Sequence, residues 1–247
     1  MAALGSICDD YYVNMNLATE MDLPKNRETL LHHFEQIQKQ YPQLKNFYSR
    51  EKTEFVLEEE KTSGAYRWTS VENRRINGGS VNPDCIQDAV NQHQFVLEMV
   101  PFTLSVSALD CESLSVVFGF DFAYRGNHFD LLAEALGITP ALEPMTRIEG
   151  TRILGGEPAI QLALDDECRV QCRVSFEPRT AAYAVRTGEY GEEQLSVYLA
   201  LRRFESIPDG RSFSEEFGSL AEMGEELVHS YLVPNVLQPL QQVIAIR

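Results

Sequence analysis

Glu28, His32 and Glu35 stand four and three residues apart, so a helix would gather them on one face. There an imidazole held between carboxylates can take a proton or ligate a metal. His33 adds a second ring beside them. One helix supplies no further ligand at matching spacing, and Glu/His pairs are commonplace on solvated helix faces, which is the plainer reading. His93 lies on an apolar helical face and His229 near the C-terminal helix, positions that suit hydrogen-bonded interior rings. His128, one residue past a helix cap, reads as solvated. None of these histidines stands with a nucleophile and an orienting acid in a recognisable context, so no catalytic residue is assigned.

Asn73-Arg74-Arg75-Ile76-Asn77-Gly78-Gly79-Ser80 places two guanidiniums next to a glycine pair. Read as a loop, it can turn backbone N–H groups and arginine forks toward an anion. It lacks the spacing and lysine of a phosphate-binding loop, and the chain contains no strand–GxGxxG–helix unit, so an ordinary connector is the competing reading. The acidic clusters Asp9-Asp10, Glu58-Glu59-Glu60 and Asp165-Asp166-Glu167 lack the calcium-loop pattern and read as turn and solubility residues. Cys168 and Cys172 lie in an alternating strand-like run, where four residues span ~13 Å. That separation is too long for a disulfide or for two ligands of one zinc, so both read as small core residues.

Tyr66 and the single tryptophan, Trp68, share one face of a strand, an arrangement found in cores, at interfaces and under flat ligands. Arg169, Gln171, Arg173 and Ser175 alternate with apolar residues, as Ser196, Tyr198 and Arg202 do in a later strand. One sheet face is therefore expected to be polar and to carry guanidiniums suited to an acidic partner.

The elements that must position these residues follow from periodicity. Leu114, Val116, Phe118, Phe120, Phe122 and Tyr124 alternate with Ser115, Gly119 and Asp121, which makes this stretch the strongest strand signal and the expected centre of the architecture. Before it, Tyr11 to Ala18 alternates as a first strand, and Arg27 to Tyr41 carries a helical stripe of Leu30, Phe34, Ile37 and Tyr41 that Pro42 ends. Residues 53–60 and 65–72 form a hairpin, 74–82 a loop, and Pro83 to Val100 a helix stopped by Pro101, with the runs FVLEMV and TLSVSAL open to a strand reading instead. After the central strand come a helix from Asn127 to Gly137, a connector over 138–147, a hairpin of 160–164 with 168–176, and a short strand at Ala182 to Arg186. A strand over Leu195 to Arg202 follows. A long helix then opens with the Ser212/Glu215 capping box and is limited or kinked at Pro234.

This pattern predicts an α+β fold, a largely antiparallel sheet with helices packed on one face, in one unit over 1–247 with 1–110 and 111–247 as alternative sub-units. The halves share a loose strand–helix–hairpin order without any residue-level repeat. The order of the second half is similar to that of helix-grip folds, which wrap a sheet around a long helix. That resemblance implies an apolar ligand cavity, lined here by Phe118, Phe120, Phe122, Phe217 and Tyr231.

The chain has 247 residues, 44% of them hydrophobic, enough for a sizeable core. Its 37 acidic against 21 basic residues give a formal charge of -16, which argues against binding phosphate backbones or anionic membranes. The N-terminal MAALGSICDDYY has neither a basic nor an apolar segment of a secretory signal, and the five irregularly spaced cysteines suit reduced thiols, so a cytoplasmic protein is expected. These readings lead to a non-catalytic protein that binds another protein chain or a second copy of itself, with a small apolar ligand binder, or an enzyme using a histidine outside any motif, as the alternatives. Tyr66, Trp68, Arg74, Arg75, Arg169 and Arg173 are the candidate contact residues, and no cofactor, metal, nucleic acid or membrane is expected as partner.

Overall fold

Alternation of large apolar with small or polar residues folds Cys111–Tyr124 into strand β6, whose even-numbered side chains from Leu114 to Tyr124 are all buried. The computed structural model describes residues 4–51 and 53–247; the first three residues of the N-terminal stretch lie outside it. Beside β6 runs β1 (Asp10–Thr19), antiparallel, with Tyr12 opposite Gly119 and Asn16 opposite Ser115. The other strands are β2 (Asn46–Arg50), β3 (Glu54–Glu58), β4 (Tyr66–Val71), β5 (Arg75–Val81), β7 (Ile160–Ala163), β8 (Val170–Glu177) and β9 (Glu193–Phe204). They form one nine-stranded sheet in the order β2-β3-β4-β5-β1-β6-β9-β8-β7, with every neighbouring pair antiparallel.

The helices are α1 (Arg27–Gln40), α2 (Ile86–Thr103), α3 (His128–Leu136), α4 (Glu143–Thr146), α5 (Ala182–Thr187), α6 (Phe213–Leu227) and α7 (Gln238–Ile246); the helix layer of this α+β architecture packs on one face through α2 and α6, with α1 against α2 and α3 against α7. α2 and α6 lie side by side across the middle, α2 over β1 and β5, α6 over β6 and β9. Helix ends follow local chemistry. Asn26 caps α1, Asn127 caps α3, and Ser212 exchanges hydrogen bonds with Glu215 at the start of α6. Ser212→Ala is expected to cost about 1 kcal/mol, read as a lower urea midpoint with an unchanged slope.

The halves correspond strand for strand from the centre outward: β1 with β6, β5 with β9, β4 with β8 and β3 with β7. The second half is therefore not a separate sheet wrapped around one helix, because β6 lies inside a continuous sheet, paired with β1 on one side and β9 on the other.

Several expectations are corrected. Residues 75–81, read as a glycine loop, are strand β5. Gly78 and Gly79 are there because neighbouring side chains press on the strand: a Cβ at Gly78 would come 2.8 Å from His93 Nδ1, and one at Gly79 would come 2.1 Å from Trp68 Nε1. Residues 182–187 are helix α5 rather than a strand; a run this short fits either period. β2 had no alternation to reveal it. Cys172 is buried in β8, but Cys168 sits exposed in the preceding turn at φ 58°. Pro101 lies in the last turn of α2, where the helix loses only one hydrogen bond and continues to Thr103. Pro234 is absorbed by a π-helical stretch, Val228–Leu237, between α6 and α7.

Candidate functional site

The register assigns each strand residue to a face. Val13, Met15 and Leu17 of β1 point at the helices, so Tyr12, Asn14 and Asn16 point away, and with them Trp68, Tyr66, Asn77, Gly79, Gly119, Asp121, Ser196, Tyr198, Arg202 and Arg173. Among the described residues α2 and α6 pack on the opposite side of the sheet, and on this second face aromatic rings lie across the strands instead. The Tyr12 ring covers Gly119, where a Cβ would come 2.1 Å from Tyr12 Cε2, and Trp68 covers Gly79 in the same way. A glycine under each ring is a steric requirement, since any side chain would lift the ring off the sheet.

Polar groups between the rings are tied together. Asn16 donates to Asn77 Oδ1 at 2.5 Å, and Asn77 donates to Glu72 at 2.8 Å. Tyr12 and Tyr198 meet edge-on at 6.4 Å, and the Tyr198 hydroxyl donates to Glu177 at 2.8 Å. Burial pushes the Tyr12 phenol well above its usual range. Burial also raises the Asp121 carboxyl, against the hydroxyl of Ser196, while Asp10 pushes it further up.

Among the sequence candidates, Tyr66, Trp68, Arg75 and Arg173 share this face. Arg173 and Arg202 are exposed and have no ion pair among the described residues. Arg74 instead pairs with Asp22 at 3.0 Å, and Arg169 stands in the turn before β8, paired with Glu167 at 2.9 Å and Glu205 at 3.2 Å. The structure brings no anion cradle together at Arg74 and Arg75, because the glycines that would form it are ladder residues of β5. Tyr12, Asn14, Asn16 and Asp121 were missed as site residues. The signal for them was present in the polar half of the β1 alternation and in the lone glycine of β6.

The histidines do other work. His32 is exposed with Gln36 at 3.5 Å, and neither Glu28 nor Glu35 pairs with it among the described residues. His33 is fully buried with Nδ1 2.7 Å from Thr103 Oγ1. His93 is fully buried, Nε2 donating to the Val13 carbonyl at 3.0 Å, its ring edge-on to Phe217. His128, expected to be solvated, is buried because the 179–180 segment folds over it; its Nδ1 accepts the Arg179 amide at 3.1 Å. Among the described residues no three His, Cys, Asp or Glu side chains are grouped to hold a metal ion, and no helix is long and apolar enough to cross a membrane.

The space between the aromatic strand and α6 is filled. Phe118, Phe120 and Phe217 are fully buried, and Phe118 packs so closely on α6 that a Cβ at Gly224 would come 2.4 Å from it. Tyr231 is elsewhere, exposed on the π-helical stretch. No protein-family model matches the chain, and no curated protein matches its sequence.

Proposed function

We propose that this chain is a non-catalytic binding protein whose open sheet face docks another protein chain. The observation that carries the reading is the uncovered face itself: a broad surface with half-buried Tyr12, Tyr66, Trp68 and Tyr198, flanked by the exposed guanidiniums of Arg173 and Arg202, which make no ion pair among the described residues. Aromatic rings held flat by the sheet are pre-ordered, so a partner gains their contact area without paying to immobilise them. The arginines add a charge-assisted contact for a carboxylate-bearing partner, including an acidic stretch of a second copy. An apolar-ligand cavity is the weaker reading, because Phe118, Phe120 and Phe217 fill the space it would need.

The test is native mass spectrometry of gently purified protein beside a Tyr66→Ala/Trp68→Ala variant. The expected result is a partner or dimer mass on the wild type that the variant loses, a weakening of roughly 30-fold or more for paired hot-spot truncations. The variant's thermal midpoint should change by only a few degrees. A bare monomer for both proteins, or equal retention by both, would overturn the reading.

A further inference from the structure

The correspondence between the two halves stops at their outer strands. β2 pairs antiparallel with β3, whereas no strand of the described residues pairs with the outer side of β7, the counterpart of β3. We propose that β7 is a docking edge for an extended, basic peptide segment of a partner protein. The segment adds antiparallel to Ile160–Ala163 as a tenth strand and lays apolar side chains into the groove beside it.

The backbone is disposed for this. Leu164 donates to the Val170 carbonyl at 2.8 Å, so by antiparallel alternation Ile160 and Leu162 also turn their N–H and C=O groups toward β8. Gln161 and Ala163 therefore present theirs outward, on a strand whose four residues are all exposed. The side chains of Ile160 and Leu162 point to the helix side. There they join Val174, Leu227, Tyr231 and Val236 around a groove of about 430 Å³. Ile160 is 54%, Leu162 48% and Tyr231 63% exposed, an unusual amount of apolar surface at one sheet edge. In the first half α1 sets Phe34 against Phe47 of β2 at 5.4 Å and leaves a groove of only about 200 Å³ over Phe55 and Val71, whereas α3 packs on α7 and the second-half groove is about twice that size.

Charge selects the occupant. Glu157 precedes β7 and Asp165, Asp166 and Glu167 follow it, and of these only Glu167 has an ion pair among the described residues. Two copies of β7 paired antiparallel would bring Glu157 against the Asp165-Asp166 end, so a second copy is repelled. A segment of alternating apolar and basic residues is attracted. The strand in the equivalent slot of the first half shares part of that chemistry: Lys45-Asn46-Phe47-Tyr48-Ser49-Arg50 sets two aromatic residues between a cation at each end. Main-chain pairing supplies affinity and the groove supplies selection among side chains.

The experiment titrates the full chain into a fluorescein-labelled Lys-Val-Lys-Val-Lys-Val-Lys peptide, with Glu-Val-Glu-Val-Glu-Val-Glu as its acidic counterpart, and reads anisotropy. Saturable one-to-one binding of the lysine peptide alone is expected, weakening with salt. Ala163→Pro removes one outward N–H at an edge position that tolerates proline, so it should weaken binding roughly tenfold or more with a near-normal melt. In the wild type, peptide addition should slow hydrogen exchange at Gln161 and Ala163, a readout independent of any variant. Absence of saturable binding, equal binding of the glutamate peptide, or indifference to Ala163→Pro would overturn the proposal. The Tyr66→Ala/Trp68→Ala variant should keep the peptide, which separates failure at this edge from failure of the open-face reading.

Discussion

Lowering the pH from 7 to 4 is expected to cost the fold several kcal/mol, most of it through His33 and His93. Burial holds both rings at a pKa of about 4; His32 nearby adds to the depression at His33, and the Val13 carbonyl opposes it at His93. Above pH 6.5 both rings are neutral whether the chain is folded or not, so they contribute no pH dependence. As the pH falls from 6.5 toward 4, the unfolded chain takes up protons that the folded chain refuses, and stability is lost through that window. The loss levels off below about pH 4. At 1.36 kcal/mol per unit this amounts to roughly 3 kcal/mol for each ring, against a total stability of about 5–15 kcal/mol for an ordinary domain. Burial lowers His128 as well, in the same direction. Asp121 opposes them: its raised pKa lets the folded chain bind a proton first, which returns some stability in the acid part of the window. Urea unfolding at pH 7, 5.5 and 4.5 should show the midpoint falling, and His93→Gln should flatten that fall. A wild-type midpoint constant over this range would contradict the assignment.

The second large effect lies where α6 crosses β6. Phe118→Ala removes a fully buried ring from the centre of the sheet and is expected to cost about 3–5 kcal/mol. Gly224→Ala alone should also destabilise, because its methyl group would meet Phe118 at 2.4 Å and Leu201 at 3.1 Å, neither on a freely moving side chain. In the Phe118→Ala background the sign should reverse. With the ring gone only Leu201 is left within reach, at 3.1 Å, and its methyl group can shift by a few tenths of an ångström into the vacated space, while alanine is the better helix former by roughly 1 kcal/mol. Unfolding of the two single variants and the double variant forms a cycle whose coupling energy measures the contact directly. Additive costs would mean that Phe118 does not dictate the glycine.

The same contact shows what sequence reasoning could reach. β6, β1 and α1 are legible because their apolar period runs for ten residues or more and asparagine marks the start of α1. β5 is not, since Gly78 and Gly79 are turn residues in isolation and make sense in a strand only once His93 and Trp68 are known to press on them. α5 hides because Ala-Tyr-Ala-Val fits both periods, and β2 because three of its five residues are polar or charged. For the candidate surface, Tyr66, Trp68 and Arg173 are visible as residue types on alternating strands. Tyr12 and Gly119 become a unit only through a register joining residues more than a hundred positions apart. Burial of His128 likewise depends on a segment fifty residues downstream.

That long register also governs how the protein comes into being on the ribosome. β1 is made early, yet its full-length neighbour β6 emerges about a hundred residues later, an interval of roughly 5–20 s at ordinary elongation rates. Throughout that interval the nascent first half carries β1 as a ten-residue open edge with Val13, Met15 and Leu17 along one side. The seam that unites the finished sheet is thus the most adhesive part of the unfinished one. Chains paused between α2 and β6 are the form of this protein with the greatest need of a chaperone.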